Sequence, residues 1–378
     1  MSLTTFWFLT IAFLWIGYFT IEGFDFGVGM IIKVLGRDER ERRAMMGAIG
    51  PHWDGNEVWL VTAGAAMFAV FPEWYATLFS GAYLALLLIV VGLIVRVCAI
   101  EWRGKINSPR WHNAWDWAHT LSTLVPALLW GVAFANMVRG MKVEVVETAT
   151  GAPVDPAHVP ADSLMRGAAH QITGGFFDLV TPFTLLGGVM ICLLFITHGA
   201  MFVALKTAGD FSRRAESFAA RSGIASALVS LIWGAWAQAA YSPNGAGWLV
   251  LAVAIGSLAA SLVMAHRGRQ GWAFGLHFAA IAAVTALIFV AMAPDVMRSS
   301  INSAYSLTIT QAAAERTTLI LCTVVAILLI PTVIAYTVWA YHVLSKRINV
   351  EAIDPAAGGL HPTKVRDSSL RVPHGEYG

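Results

Sequence analysis

The sequence predicts an all-α polytopic membrane protein with about nine transmembrane helices, and three observations carry that expectation. Of the 378 residues, 57% are hydrophobic and only 13% charged, with a mean hydropathy of +0.65; a water-facing domain of this length carries roughly a quarter charged residues. The apolar residues gather in long runs near the ~20 residues that a helix needs to cross hydrocarbon. Lysine and arginine concentrate at alternate ends of those runs, the asymmetry that sets membrane orientation.

Taken in order, the expected spans are 5–33, 57–72, 74–99, 112–138, 177–205, 222–240, 247–265, 271–293 and 317–344. The first run is too long for a cleavable signal and no small-residue cleavage site follows it, so it is expected to stay as a span. The second is short, and Pro72-Glu73 after it predicts a tight hairpin into the third, because proline starts helices better than it continues them. With the amino terminus outside, the inner segments (33–43, 96–110, 206–221, 267–269 and 346–371) hold 20 of the 25 basic residues. Arg139, Lys142, Arg166, Arg298 and Arg316 are left for the outer side. One lost span would invert everything after it, so the split predicts an outer amino terminus and a cytoplasmic carboxyl terminus.

Residues 1–347 are read as one transmembrane domain with an outer loop at about 140–170, irregular over 150–156. Residues 348–378 are polar and rich in Gly, Pro and Ser, and are expected to form a disordered cytoplasmic tail. Cys98, Cys192 and Cys322 lie far apart inside apolar runs, a spacing for spectator thiols rather than disulfides or metal. The small polar residues at 299–308 are read as a surface that can pack on a partner's outer loop.

The polar residues inside the apolar runs carry the functional argument, because an acid in hydrocarbon costs several kcal/mol and usually marks an ion or proton path. Glu22 and Asp25 are three apart on one face of the first helix, and Asp54 and Glu57 are three apart at the entrance of the second. The loop joining those helices is expected to bring the pairs together. Clustered carboxylates in low dielectric titrate as a coupled group, which suits proton uptake near neutral pH. Two structural readings stand beside this one. Asp54 suits a helix cap, and Glu22 and Asp25 suit a salt bridge to a basic residue such as Arg96.

The remaining motifs read more plainly. His52, His112, His119, His198 and His277 show no paired spacing that would suggest haem ligation. Gly23, Gly27 and Gly29 follow no strand, so they are expected to let a neighbouring helix approach rather than to hold phosphate. Trp102, Trp111, Trp115 and Trp117, with Arg103, Lys105 and Arg110, read as an interfacial aromatic and basic belt facing lipid. Nothing points to nucleic acid.

Three stretches carry a family resemblance: Gly23-Phe24-Asp25-Phe26-Gly27-Val28-Gly29-Met30, then Pro51-His52-Trp53-Asp54-Gly55-Asn56-Glu57-Val58-Trp59, then Arg110-Trp111-His112-Asn113-Ala114-Trp115-Asp116-Trp117. The chain resembles subunit II of the cytochrome bd-type quinol oxidases over nearly its whole length, to about residue 350. The resemblance implies two four-helix bundles plus one peripheral helix, in a prokaryotic cytoplasmic membrane. It implies a partner, subunit I, that carries two b-type haems, one d-type haem and the quinol site. Subunit II in such complexes lacks haem ligands, can hold a structural quinone, and leaves room for small single-helix accessory subunits. The complex would oxidise two quinols and reduce one dioxygen to two waters, building a proton gradient without pumping. Asp54 then resembles the subunit II carboxylate of a cytoplasmic proton path, with Asp25 near it. Trp59 resembles the tryptophan at the entry of a lateral oxygen channel. Glu22 and Glu57 are further proton-path candidates.

Two other classes of function compete. A stand-alone proton-coupled transporter would show matched broken helices in two halves, and no matched pair is evident in the sequence. A purely structural assembly subunit would tolerate replacement of all four acids.

Overall fold

The structure is a computed structural model that describes residues 2–159, 167–355 and 359–360. Its elements follow in order: α1 (Leu3–Leu35), α2 (Glu39–Ile49), α3 (Trp53–Val70), α4 (Pro72–Gly81), α5 (Tyr83–Trp102), α6 (Pro109–Arg139), β1 (Val143–Glu147), β2 (Ala168–Ile172), α7 (Pro182–Lys206), α8 (Gly209–Ala240), α9 (Ala246–His266), α10 (Gln270–Met292), β3 (Asp295–Met297), β4 (Leu307–Thr308), α11 (Ile309–Ala312) and α12 (Arg316–Val343). In hydrocarbon each backbone polar group needs an internal partner, which is why apolar runs of this length become helices. Among the described residues eight helices are long and apolar enough to span, and the count is nine if the bent pair α3–α4 is one broken span.

Helices α1, α3, α5 and α6 pack as one group and α7 to α10 as another, while α12 touches mainly α3 and α1 from outside. Two four-helix groups and one peripheral helix are the expected architecture. The groups meet along α1 and α7. A Cβ placed on Gly27 would lie 1.8 Å from the Phe195 carbonyl oxygen, and one on Gly199 would lie 2.4 Å from the Val28 nitrogen. Only glycine permits that backbone approach, so the glycines of α1 serve helix packing.

The hairpin expected at Pro72-Glu73 does not form. Pro72 instead begins α4, which leaves α3 at an angle of 118°. The next span accordingly starts at Tyr83 and not at residue 74. Proline at the first helical position lacks only an N–H that would be unpaired there anyway, so the residue expected to turn the chain starts a new helix.

Helices α2, α5, α6, α7 and α8 meet at the end of the bundle that gathers most of the basic residues. Arg103, expected in a lipid-facing belt, is buried there. Its Nε donates to Asp116 Oδ1 at 2.6 Å, and its Nη1 and Nη2 donate to Glu39 at 3.0 and 2.8 Å. Two acids on α2 and α6 outbid lipid for that guanidinium, while Trp102 and Trp117 remain half exposed. Arg42 reaches Asp116 at 3.4 Å and Arg214 reaches Glu41 at 2.6 Å, so α2 is fastened on both sides. Burial alone would push the Glu39 carboxyl up, but hydrogen bonds from Arg103 and Arg43 outweigh it and hold the group below its ordinary 4.5.

The start of the polar tail touches this end too. The Ile348 N–H donates to the Lys206 carbonyl at 2.7 Å, Val350 is buried, and Leu360 pairs with the Lys105–Asn107 backbone. The remainder of the expected tail, 361–378, lies outside the described residues, as does 160–166 of the expected loop.

At the opposite end β1 pairs antiparallel with β2, so the expected loop has ordered flanks around its irregular centre. Residues 299–308, read as a surface for a partner, are fastened to their own chain at Ser299 and Ser306 and keep residues 300–303 exposed. The Ser299 hydroxyl donates to the Val143 carbonyl at 2.6 Å, and the Ser306 hydroxyl accepts from the Ser299 N–H at 3.0 Å.

Two measurements test this packing. Gly27→Ala should destabilise the folded chain by about 1–3 kcal/mol, because the new methyl meets backbone. Gly256→Ala, with nothing within 4 Å of the added Cβ, should leave the thermal midpoint in detergent unchanged. Because the folded Glu39 pKa is depressed, its stabilisation is present above about pH 4.5 and is lost as pH falls below that value. Glu39→Gln should therefore flatten the pH dependence of the thermal midpoint between about pH 5 and pH 3.

Candidate functional site

The acids of α1 lie 10 to 13 residues from Leu35, the last residue of that helix. At 1.5 Å per residue this puts them about 15–20 Å inside the bundle. Helix α3 begins at that depth because the chain returns through α2 and the residues 50–52 before starting again at Trp53. The first turn of α3 therefore faces the middle of α1, and the two acid pairs come together as expected.

Arg96 of α5 is the centre of the arrangement. It is completely buried. Its Nη1 donates to Glu22 Oε1, its Nη2 donates to Glu57 Oε2 at 2.7 Å, and its guanidinium lies 4.8 Å from the centre of the Phe26 ring. The salt bridge weighed against a functional role for Glu22 thus exists, and it extends to Glu57. Buried charge of this kind is tolerated only when paired and hydrogen-bonded.

Asp25 stays out of that bridge. Its Oδ2 accepts from Asn56 Nδ2 at 2.7 Å, and Asn56 Oδ1 accepts from the Tyr341 hydroxyl at 2.8 Å. Asp25 Oδ1 has no hydrogen-bond partner among the described residues, and neither does the Tyr18 hydroxyl. His52 stacks on Tyr341 with ring centres 4.6 Å apart and an interplanar angle of 17°. Burial, and then the nearby Lys206 ammonium, push the His52 imidazole down to about 4, so it is neutral at physiological pH. The outcome is a continuous polar chain from Tyr341 through Asn56 to Asp25, with the Glu22–Arg96–Glu57 bridge beside it.

Asp54 sits in the first turn of α3, one position beyond the helix start, and makes no capping hydrogen bond; His52 occupies the cap position. The carboxylate is exposed on the chain's surface. It is three residues from Glu57, so it stands on the same helical face at the open side of the cluster. Trp59 lies deeper on α3, buried against Gly17, where an added Cβ would meet its ring at 2.2 Å, and 5.9 Å from the Phe13 ring in an edge-on contact. Beside it Leu60 lines an almost wholly apolar cavity of about 200 Å³, walled by Trp15, Trp74, Trp130, Phe134 and Met137.

Asn56 and Tyr341 were not among the expected site residues. Asn56 lay within a motif whose acids drew the attention. Tyr341 is 285 residues further along the chain, and nothing in a lone tyrosine near the end of an apolar run signals its partner. The same is true of His198 and His277, whose rings stack 5.2 Å apart from different helices. His198 also stacks on Phe274 at 4.4 Å. Among the described residues no group of three His, Cys, Asp or Glu converges as a protein-held metal ion would need. All three cysteines are free thiols.

The comparisons with known proteins concern the whole chain. A family profile described as cytochrome bd terminal oxidase subunit II matches residues 3–344. The chain is 36% identical over 352 residues to cytochrome bd ubiquinol oxidase subunit 2 of Bacillus subtilis (strain 168), covering 92% of this chain and 97% of that one. It is 34% identical over 388 residues to cytochrome bd-I ubiquinol oxidase subunit 2 of Escherichia coli (strain K12), covering 94% and 97%. The fold is similar to a chain of the bd oxidase from Geobacillus thermodenitrificans, with a TM-score of 0.59, 12% identity, and coverage of 90% and 98%. An apolar chain with eight to nine candidate spans and a buried carboxylate cluster, matched over most of its length in this way, belongs to the cytochrome bd terminal oxidase subunit II family.

Proposed function

We propose that this chain is the subunit of a membrane quinol oxidase that holds no haem of its own, scaffolds the haem-bearing subunit I, and delivers protons from the cytoplasmic side for reduction of dioxygen to water. Haem b, haem d and the quinol site belong to the partner in this reading. The amino terminus lies outside and the basic end of the bundle faces the cytoplasm, which keeps the Lys- and Arg-rich turns inside. The observation that carries the reading is the Asp25 carboxyl, buried at the end of the Tyr341–Asn56 chain with one oxygen that has no hydrogen-bond partner among the described residues.

The chemistry asked of these groups is modest. Asp54, exposed at the open side, exchanges protons with water or with the partner's surface. Glu57 lies one turn further in, held by Arg96, and Asp25 lies across from it on α1. Arg96 bonds both carboxylates and keeps their side chains in place. Asp25, which has only an amide as partner, is the group free to take and release a proton at its Oδ1. Trp59 shares α3 with Leu60 and Met67, which line the apolar cavity, and in this reading the helix borders a passage for dioxygen, which partitions into apolar space. Reconstituted transport by the chain alone would favour the transporter alternative instead.

Three outcomes are expected. The chain purified with its native partner should show haem b and haem d absorption, and a complete complex without haem would refute the assignment. Asp25→Asn should lower quinol-driven oxygen consumption by about tenfold or more, and Asp54→Asn by a smaller factor, since Asp54 is exposed and water can take over part of its role. Wild-type turnover in both variants, with haem content unchanged, would remove these acids from the path. Arg96→Met should cost about 3–5 kcal/mol by leaving Glu22 charged and unpaired. The double variant Arg96→Met with Glu22→Gln should recover part of that loss, read as the yield and thermal midpoint of the complex.

A further inference from the structure

Helix α12 is poorly held for its length. It spans 28 residues, only 11% of its most apolar stretch is buried, and it lies outside both four-helix groups. Near its start Trp7 Nε1 donates to the Leu319 carbonyl at 3.2 Å and to the Thr323 hydroxyl at 3.0 Å. Near its end a different device operates. Lys206, the last residue of α7, is 8% exposed, and its ammonium donates to the carbonyl of Leu344, the residue that closes α12. The Lys206 carbonyl accepts from the Ile348 N–H at 2.7 Å, and Thr207 bridges Ile348. One residue therefore grips the chain at two points flanking the exit from α12.

A cation at this place is favourable. The last carbonyls of a helix lack internal partners and carry the negative end of its dipole. Lys206 makes no salt bridge among the described residues, so the α12 terminus is what satisfies its charge. Tyr341 is three residues before Leu344, within the same last turn, and it is the residue of α12 whose hydroxyl reaches Asn56. The rotation and depth of that turn decide whether the hydroxyl meets Asn56 at all. His52 stacks on Tyr341, so the ring as well as the hydroxyl of that residue depends on where this turn sits.

We infer that Lys206 is a positioning residue: by gripping the carboxyl end of α12 it holds Tyr341 in the polar chain to Asp25. The inference rests on the proton-path reading above. It concerns a residue outside the acid cluster, joined to it through a helix that is otherwise loosely attached.

The test is a double-mutant cycle on the complete oxidase, read as quinol kcat and KM with haem content measured alongside. Tyr341→Phe should lower kcat about tenfold. Lys206→Met should lower kcat by about three- to tenfold with KM unchanged, and Lys206→Arg, which keeps the cation, should restore most of it. In the Tyr341→Phe background Lys206→Met should add less than about a twofold further loss, since residues acting through one contact are not additive. If Lys206→Met multiplies its full effect on top of Tyr341→Phe, or leaves kcat at the wild-type value while Tyr341→Phe loses it, the positioning role is overturned and the proton path stands. A Tyr341→Phe variant with wild-type kcat would overturn the Tyr341 route itself, and the inference with it. Should Lys206→Met assemble without haem, Lys206→Ala, which also removes the donor to Leu344, is carried through the same cycle and read by the same criteria.

Discussion

A guanidinium with no exposed surface, bonded to two carboxylates from two other helices, is the interaction on which the interior of this protein depends. Arg96 joins α5 to α1 through Glu22 and to α3 through Glu57. Removing Arg96 would leave two carboxylates without their cation, a much larger penalty than the net gain of forming the bridge. Such a group contributes little to stability compared with an apolar core of equal volume. What it supplies is registry: the three helices pack with their charges aligned or not at all. That registry places Asp25 and Asn56 opposite each other, and so sets the geometry of the neighbouring polar chain.

The second constraint is steric. Gly27 and Gly199 bring α1 and α7 into backbone contact, and Gly131 with Gly187 and Gly188 does the same for α6 and α7. Among apolar helices in lipid there is little hydrophobic drive to associate, so close packing of this kind must supply the attraction. The tight seam leaves α1 surrounded by helices for most of its length, with Glu22, Asp25 and much of its apolar surface buried. The looser elements lie around it. The bent α3–α4 pair brings the exposed Asp54 down to the cluster, and the peripheral α12 brings Tyr341 in from the other side.

Family membership and geometry bear on different questions. Matches along the length of the chain fix the class of complex to which it belongs. The structure adds which side chains actually meet. His52, conspicuous in its motif, is neutral and packed on a tyrosine, whereas the plain Asn56 beside it links two helices. Asp54, which suited a helix cap, leaves that position to its neighbour and stays open to the outside.

The sequence by itself determined the all-helical membrane class, the pairing of acids three apart on α1 and α3, and the glycines that mark a close helix contact. Each of these is a matter of composition or of helical period, and both are local. It also named Arg96 as a partner for the acids, because a buried carboxylate calls for a cation and few are available within the apolar runs. Only the tertiary structure decided which acids that arginine would take and which it would leave free, because that depends on the depth at which α3 restarts. The same holds for Pro72, where a local rule allowed either a turn or a new helix. It holds most clearly for Tyr341 and for the burial of Arg103: their partners lie far away in the chain or on other helices, and no periodicity records a contact made by folding.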